Sequence, residues 1–222
     1  MSNASTTHLM IQEDKKHIEN YYRWNAGIYD ATRWAILLGR NSFKDELIEQ
    51  LSEHRKKKDN LTVAEIGCGT GFYLKPLATQ FPEITFTGID TSSHMLKKAN
   101  KSLRLLTNTY LLKYFFSEET KQTQLLPQDH IICSYAISMN SKPTELINQI
   151  HHCLNKDGQL HLLDFYDSRF SFVRKWMGLH GVYFYNTIKE IISPYFEIKD
   201  LSIHNGYGGL FRYYKLHLKK LH

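Results

Sequence analysis

The chain has only three cysteines, an odd number, and no Cys-x-x-Cys pair. That excludes a disulfide-built scaffold and favours a reducing compartment. Long apolar runs are also missing: charge interrupts each one well before the roughly 18 residues that a membrane span needs. No signal-peptide pattern opens the sequence, so the expected location is cytoplasmic. Twelve histidines invite a metal reading, but the densest group, His151-His152-Cys153, places neighbours on different sides of a helix, where they cannot converge on one ion. No metal is expected. Charge of one sign is not abundant either: the net +6 is modest and sits mainly in Arg55 to Lys58 and in Lys215 to Lys220. A solvated loop and a polar strand face account for it, attraction to an anionic membrane or nucleic acid being the sharper alternative.

A length of 222 residues suits one α/β domain. Residues 1–14 are set aside as a disordered or appended leader. The single domain is expected over 15–222, with a helical cap at 15–58 and a core at 59–222. Its organising stretch is Leu61-Thr-Val-Ala-Glu-Ile-Gly-Cys-Gly-Thr-Gly-Phe72, answered by Thr85-Phe-Thr-Gly-Ile-Asp90. An apolar run breaks into three glycines and then a helical segment, which reads as strand, turn, helix. A pyrophosphate site wants Gly-x-Gly-x-x-Gly and free N–H groups at a helix N-terminus. Here the glycines alternate and Glu65 stands at the strand end, where its charge would repel phosphates. A cationic or amino-acid-bearing nucleoside suits the turn better, with Asp90, about 20 residues on, placed to accept ribose hydroxyls. A tight turn that serves packing alone is the plain alternative.

These residues resemble motif I of the class I S-adenosylmethionine-dependent methyltransferases. The resemblance implies S-adenosylmethionine as cofactor and a Rossmann-like seven-stranded mixed sheet with helices on both faces and an N-terminal helical lid. It places Gly67, Gly69 and Gly71, with Cys68 and Thr70 between them, at the methionine moiety. Glu65 would orient that moiety, Asp90 would hold the ribose, and Thr91 and Met95 would flank the adenine. Many relatives carry an Asp after the third strand for the adenine amino group. Ser117-Glu-Glu-Thr120 has none, so Glu118 is the substitute, backbone amides being the other means of reading that ring edge.

Along the chain, Lys15 to Trp24 has helical spacing, and Tyr21 to Arg40 is aromatic and basic together. This stretch is either a helix pair packed on the domain edge or a lid whose aromatic faces attract a sulfonium. Tyr29-Asp30 lies near the cofactor in related enzymes. Helices are expected over 41–51, 72–80, from Ser92 or Ser93 through Ala99, and from Pro143 to Leu154. Pro76 must fall in an early turn or kink its helix. Strands are expected at 85–89, 110–116, 130–135 and 159–165, and a terminal hairpin joins 196–203 to 211–218 around Asn205 to Gly209. Tyr135, Ser138 and Met139 follow the fourth strand, where ligands of parallel sheets gather. Phe170, Phe172, Val173, Trp176, Met177 and Leu179 form an aromatic helical face edged by Arg169, Arg174 and Lys175. That face packs on the sheet or meets lipid.

Outside motif I the resemblance narrows. Tyr29 to Trp34, Leu38 to Arg40, Ser134 to Met139, Asp164-Phe165, Met177 to Val182 and Tyr207 to Tyr213 together look like the N-methyltransferases of betaine-lipid synthesis. Asn140 departs from that pattern, where a more apolar residue is expected. The implied reaction is in-line methyl transfer to a neutral amine, for which positioning contributes much of the rate. Tyr135 or His180 would take the amine proton or orient the nitrogen, with water as an equal substitute. Tyr29 would favour an increasingly cationic head group. A lipid acceptor would give 169–185 a role at the inner membrane face. The alternatives are a soluble small molecule or quinone precursor as acceptor, aminocarboxypropyl transfer from the same cofactor, and cofactor binding without catalysis. A nucleic-acid acceptor is disfavoured, because no Asn/Asp-Pro-Pro-aromatic motif is present and the charge is modest. Oligomeric state is left open.

Overall fold

The computed structural model describes residues 36–114 and 125–221. Tyr29, Asp30, Trp34, Glu118, the leader and the helix expected at 15–24 lie outside the described residues. Helix α1 (Arg40–Arg55) precedes β1 (Thr62–Ile66), α2 (Leu74–Gln80), β2 (Thr85–Asp90), α3 (Ser93–Leu103) and β3 (Thr109–Lys113). After 124 come β4 (Gln128–Ser134), α4 (Pro143–His152), β5 (Leu154–Asp167), α5 (Ser171–Leu179) and α6 (Ile188–Ile192), and then the hairpin β6 (Phe196–Gly206) and β7 (Phe211–Lys220). The seven strands lie in the order β3-β2-β1-β4-β5-β7-β6. β7 runs antiparallel to both of its neighbours, and the other pairings are parallel. The Rossmann-like mixed sheet and the terminal hairpin are therefore as expected.

Helices cover both faces. Phe43, Leu47 and Leu51 of α1, Leu74 and Leu77 of α2 and Met177 of α5 share one core with Val63, Ile132, Leu163 and Phe165. Leu146, Ile147 and Ile150 of α4 and Ile188 and Ile192 of α6 share the other with Ala64, Ile131, Leu162 and Leu216. Alternate strand residues thus feed opposite cores, as the period of two requires. Pro76 sits in the first turn of α2, where its missing N–H costs nothing. Ser92 caps α3 by accepting from the Met95 N–H at 3.4 Å.

Most boundaries shift by a few residues, and two of the shifts have a visible partner. α1 runs to Arg55, beyond Leu51, because His54 finds a partner in the sheet. β5 begins at Leu154, which pairs with Gln128 before an irregularity, and regular pairing resumes at His130 with Gln159.

The core beneath α1 is not wholly apolar. His54 Nδ1 lies 2.7 Å from His130 Nε2, His130 Nδ1 2.9 Å from His161 Nε2, and His161 Nδ1 2.7 Å from His217 Nδ1. His217 Nε2 reaches Glu46 Oε2 at 3.2 Å, and Glu46 also pairs with the buried Lys215. Four imidazoles therefore join α1 to β4, β5 and β7. With all four neutral and Glu46 ionised, one tautomer order satisfies every bond: His54, His130 and His161 each donate from Nδ1, and His217 donates from Nε2 to Glu46. The outer end opens at a polar cleft lined by Glu49, Glu53, His54, Lys57, Asp157 and Lys219, at the amino ends of the strands.

Burial pushes His130 down to about 3 and His161 well below its ordinary value, with neighbouring histidines adding to both shifts. Below pH ~6.5 the unfolded chain takes up protons that these buried rings refuse, so stability falls with pH. Each such ring costs about 1.4 kcal/mol per pH unit. Asp164 acts in the opposite sense: burial raises it to about 6, so it contributes stability below that pH, but it is one group against two. Urea denaturation from pH 7.5 to 5 should show a net decline that begins near pH 6.5. A flat profile would contradict the neutral, buried chain.

Candidate active site

The site is built at the carboxyl ends of β1, β2, β4 and β5. After Ile66 the backbone turns through Gly67 at φ 71°, Gly69 at φ 54° and Gly71 at φ 82°. A Cβ on Gly67 would stand 2.9 Å from the Ala136 Cβ, so this position needs glycine for space as well as conformation. Four of the turn amides point inward. Gly67 and Cys68 both donate to the Ile89 carbonyl, at 2.8 and 3.0 Å, and Gly71 donates to the Cys68 carbonyl at 2.9 Å. Gly69 donates to Asp90 Oδ2 at 2.8 Å. These committed donors distinguish the bend from a phosphate cradle, which presents its N–H groups outward.

Asp90 ends β2 with only 6 % of its surface exposed. Its second oxygen, Oδ1, accepts from the Ser92 N–H at 2.8 Å, so one carboxylate ties the glycine turn to the start of α3. Glu65 is buried on β1, directly before the turn. Thr70 and Thr91 are partly exposed at the bend and just past Asp90. Two of the expected contributors carry inward side chains. The Cys68 thiol turns inward, so that a Cβ on Gly88 would meet its Sγ at 3.0 Å, while its backbone forms part of the turn. Met95 is fully buried, a core position at the start of α3 that is compatible with a place beside a bound ring.

The end of β4 carries the clearest departure. Tyr135 takes φ 53°, an uncommon conformation for a residue with a Cβ. Its N–H donates to the Leu163 carbonyl at 2.7 Å, and its phenol donates to the Leu38 carbonyl at 2.6 Å. Burial, reinforced by Asp164, raises its pKa well above the ordinary tyrosine value. A phenol so placed braces residue 38 against the sheet, with its proton directed at the Leu38 carbonyl. Beside it, the Arg40 guanidinium lies 3.6 Å from the centroid of the Phe72 ring, in the turn that leads into α2. The described end of the expected lid, Leu38 to Arg40, is thus fastened at two points.

Asp164, at the carboxyl end of β5, was not among the expected site residues. It is fully buried and accepts from the Ser138 N–H at 3.0 Å and the Phe165 N–H at 2.8 Å, so it holds the loop after β4. The Tyr183 N–H donates to the Ser138 carbonyl at 2.7 Å, which brings 180–185 onto that loop. Met139 is half-buried there, and Asn140 accepts the Tyr185 hydroxyl through its carbonyl at 2.5 Å. His180 ends α5 half-exposed, with its ring 4.8 Å from that of Trp176. The signal for Asp164 was an acid closing an otherwise apolar strand, the pattern that marked Asp90. Leu38 and Arg40 act through a carbonyl and a ring contact, which spacing does not reveal. Among the described residues no group of three or more His, Cys, Asp or Glu is arranged to hold a metal ion.

Residues 64–160 match a family model described as a methyltransferase domain. The malonyl-[acyl-carrier protein] O-methyltransferase of Halalkalibacterium halodurans is 25 % identical over 150 residues, 66 % of this chain and 54 % of that protein. The chain therefore spans about half the length of that curated relative. Among solved structures, the N-methyltransferase NodS from Bradyrhizobium japonicum WM9, in complex with S-adenosyl-l-homocysteine, superposes with a TM-score of 0.62 at 16 % identity, covering 81 % of this chain and 88 % of that one. The [4+2]-cyclase SpnF gives 0.65 at 17 % identity, covering 79 % and 80 %. The structural likenesses establish a Rossmann-like fold shared with those proteins, and within it residues 64–160 resemble a methyltransferase domain.

Gly67→Ala should lower unfolding free energy by about 1–3 kcal/mol, since it combines a left-handed backbone with a close Cβ contact. Tyr135→Phe should cost about 0.5–1.5 kcal/mol, by leaving the Leu38 carbonyl without its donor. Chemical denaturation measures both. No change at Gly67 would contradict the tight turn.

Proposed function

We propose that this chain is an S-adenosylmethionine-dependent methyltransferase whose acceptor is the amino head group of a lipid of the betaine type. The observation that carries the reading is the inward-facing glycine turn clasped by Asp90. Four of its donors are spent on the protein, so it suits a nucleoside that brings positive charge and takes its own hydrogen bonds through ribose hydroxyls and an amino-acid tail. Gly67 to Gly71 would pass beside the methionine portion, Asp90 would accept from the ribose, and Glu65 would add negative charge beneath a cationic ligand. When bound, such a cofactor supplies an electrophilic methyl carbon.

The chain's own residues would position the acceptor and exclude water. Leu38 to Arg40, held by Tyr135 and Phe72, would close one side, and 180–185, held at Ser138, the other. An attacking amine must first lose a proton. With the Tyr135 phenol committed to Leu38, His180 and solvent are the acceptors left among the expected groups. The amino-lipid assignment is supported by the motifs at 134–139, 164–165, 177–182 and 207–213, which converge around the ends of β4 and β5. A soluble acceptor is the second reading, favoured by the sequence likeness to an enzyme named for malonyl-acyl-carrier protein. A shared fold does not fix the reaction, as a cyclase among the structural neighbours illustrates.

Turnover decides between these readings. Protein incubated with S-adenosylmethionine and detergent-dispersed diacylglyceryl homoserine should yield methylated head groups by mass spectrometry, with S-adenosylhomocysteine as co-product. Methylation of a malonyl thioester with none of the lipid would overturn the acceptor assignment. Absence of any methylated product from a protein that binds the cofactor would overturn the enzymatic one.

A further inference from the structure

We propose that α5 and the tip of the β6–β7 hairpin together form a docking surface for an anionic lipid bilayer. Val173 and Met177 of α5 are buried, whereas Phe172, Trp176 and Leu179 are 63 %, 50 % and 80 % exposed. The helix therefore presents a second apolar stripe outward, at positions one turn apart. Tyr183, Tyr207 and Leu210 are exposed as well. The hairpin tip adjoins the approach to α5: Ser168 Oγ donates to the Leu210 carbonyl at 2.6 Å, and Phe211 lies 5.4 Å from Phe165. Single exposed apolar residues are ordinary; a group on two adjoining elements marks an interaction site.

Charge and side-chain type select the occupant. No carboxylate occurs from 168 to 189, or from 201 to the end of the sequence. The adjoining Asp167 is paired with Arg212 through two hydrogen bonds. Arg169 and Lys175 are exposed just before and on the helix that bears the stripe. Basic residues beside outward Trp, Tyr, Phe and Leu match a bilayer interface, where aromatic rings sit at head-group depth and cations meet anionic lipid. Position gives the surface a use: α5 follows the carboxyl end of β5, and the hairpin tip lies at the same end of the sheet as the glycine turn. Docking there would present the site to head groups without extracting the lipid. The proposal deepens the lipid-acceptor reading, but the surface itself is observed without it.

The test is co-sedimentation of the full chain, without cofactor, with phosphatidylcholine vesicles and with the same vesicles doped with phosphatidylglycerol. Binding should appear with the doped vesicles and fall as salt rises. Phe172→Ala/Trp176→Ala/Leu179→Ala should reduce partitioning at least about tenfold. Arg169→Ala/Lys175→Ala should reduce it about 25-fold, at roughly five-fold per basic residue near the surface. Far-UV circular dichroism should be unchanged in both. No vesicle binding at low salt, equal binding by the variants, or conversion of a dimer to a monomer by the apolar variant would each overturn it, the last by assigning the surface to a second copy. Vesicle binding without methylation of the amino lipid would keep the surface and reject the acceptor. Methylation of dispersed lipid without vesicle binding would do the reverse.

Discussion

The site depends on one buried carboxylate. Asp90 accepts the Gly69 N–H with one oxygen and the Ser92 N–H with the other, so the bend after β1 and the helix after β2 are fixed to a single planar group. Hydrogen bonds to a charged acceptor are shorter and stronger than neutral ones, and leaving such an acceptor unsatisfied in the interior is expensive. The turn can therefore hold three successive left-handed glycines at 67, 69 and 71 in one conformation despite their freedom in the unfolded chain. Asp164 repeats the device at β5, where its two oxygens hold Ser138 and Phe165. The two clasps flank β1 and β4, the central strands of the sheet, and shape the rim where parallel sheets receive ligands.

A second constraint acts on the other end of the sheet. Four linked imidazoles, one on α1 and three on the sheet beneath it, add to the apolar contacts of Phe43, Leu47 and Leu51, and they end on Glu46 and Lys215. A buried polar network is favourable only when every member finds a partner, and here each inner ring has one at both nitrogens. Because the network specifies geometry as well as energy, it sets where α1 sits. The same helix begins at Arg40, stacked on Phe72, next to the carbonyl that receives the Tyr135 hydroxyl. The seating of α1 at its far end and the closure of the site at its near end are thereby parts of one rigid element.

Much of this was legible from residue order. The strand, the alternating glycines, Glu65 and Asp90 carry their meaning in local spacing, and the alternation of strand and helix gave the sheet and its final hairpin. What was not legible depends on partners distant in the chain. His130, His161 and His217 stand in apolar strands 31 and 56 residues apart, and only the pairing of β4, β5 and β7 aligns them. Residue order places Tyr135 at the end of a strand on the ligand edge; its φ of 53° and its bond to the Leu38 carbonyl 97 residues away belong to the folded chain alone. Cys68 and Met95 show that a motif fixes backbone path before it fixes which way a side chain turns.

The central claim, that the clasped bend receives a sulfonium-bearing nucleoside, is tested most directly by calorimetric titration with S-adenosylhomocysteine, which shares the nucleoside and amino-acid portions but does not react. The wild-type chain should bind one equivalent, and Asp90→Asn, with an unaltered circular dichroism spectrum, should bind at least about tenfold more weakly through loss of a charge-assisted acceptor. No uptake by the folded wild-type protein, or equal affinity in the two, would contradict the account.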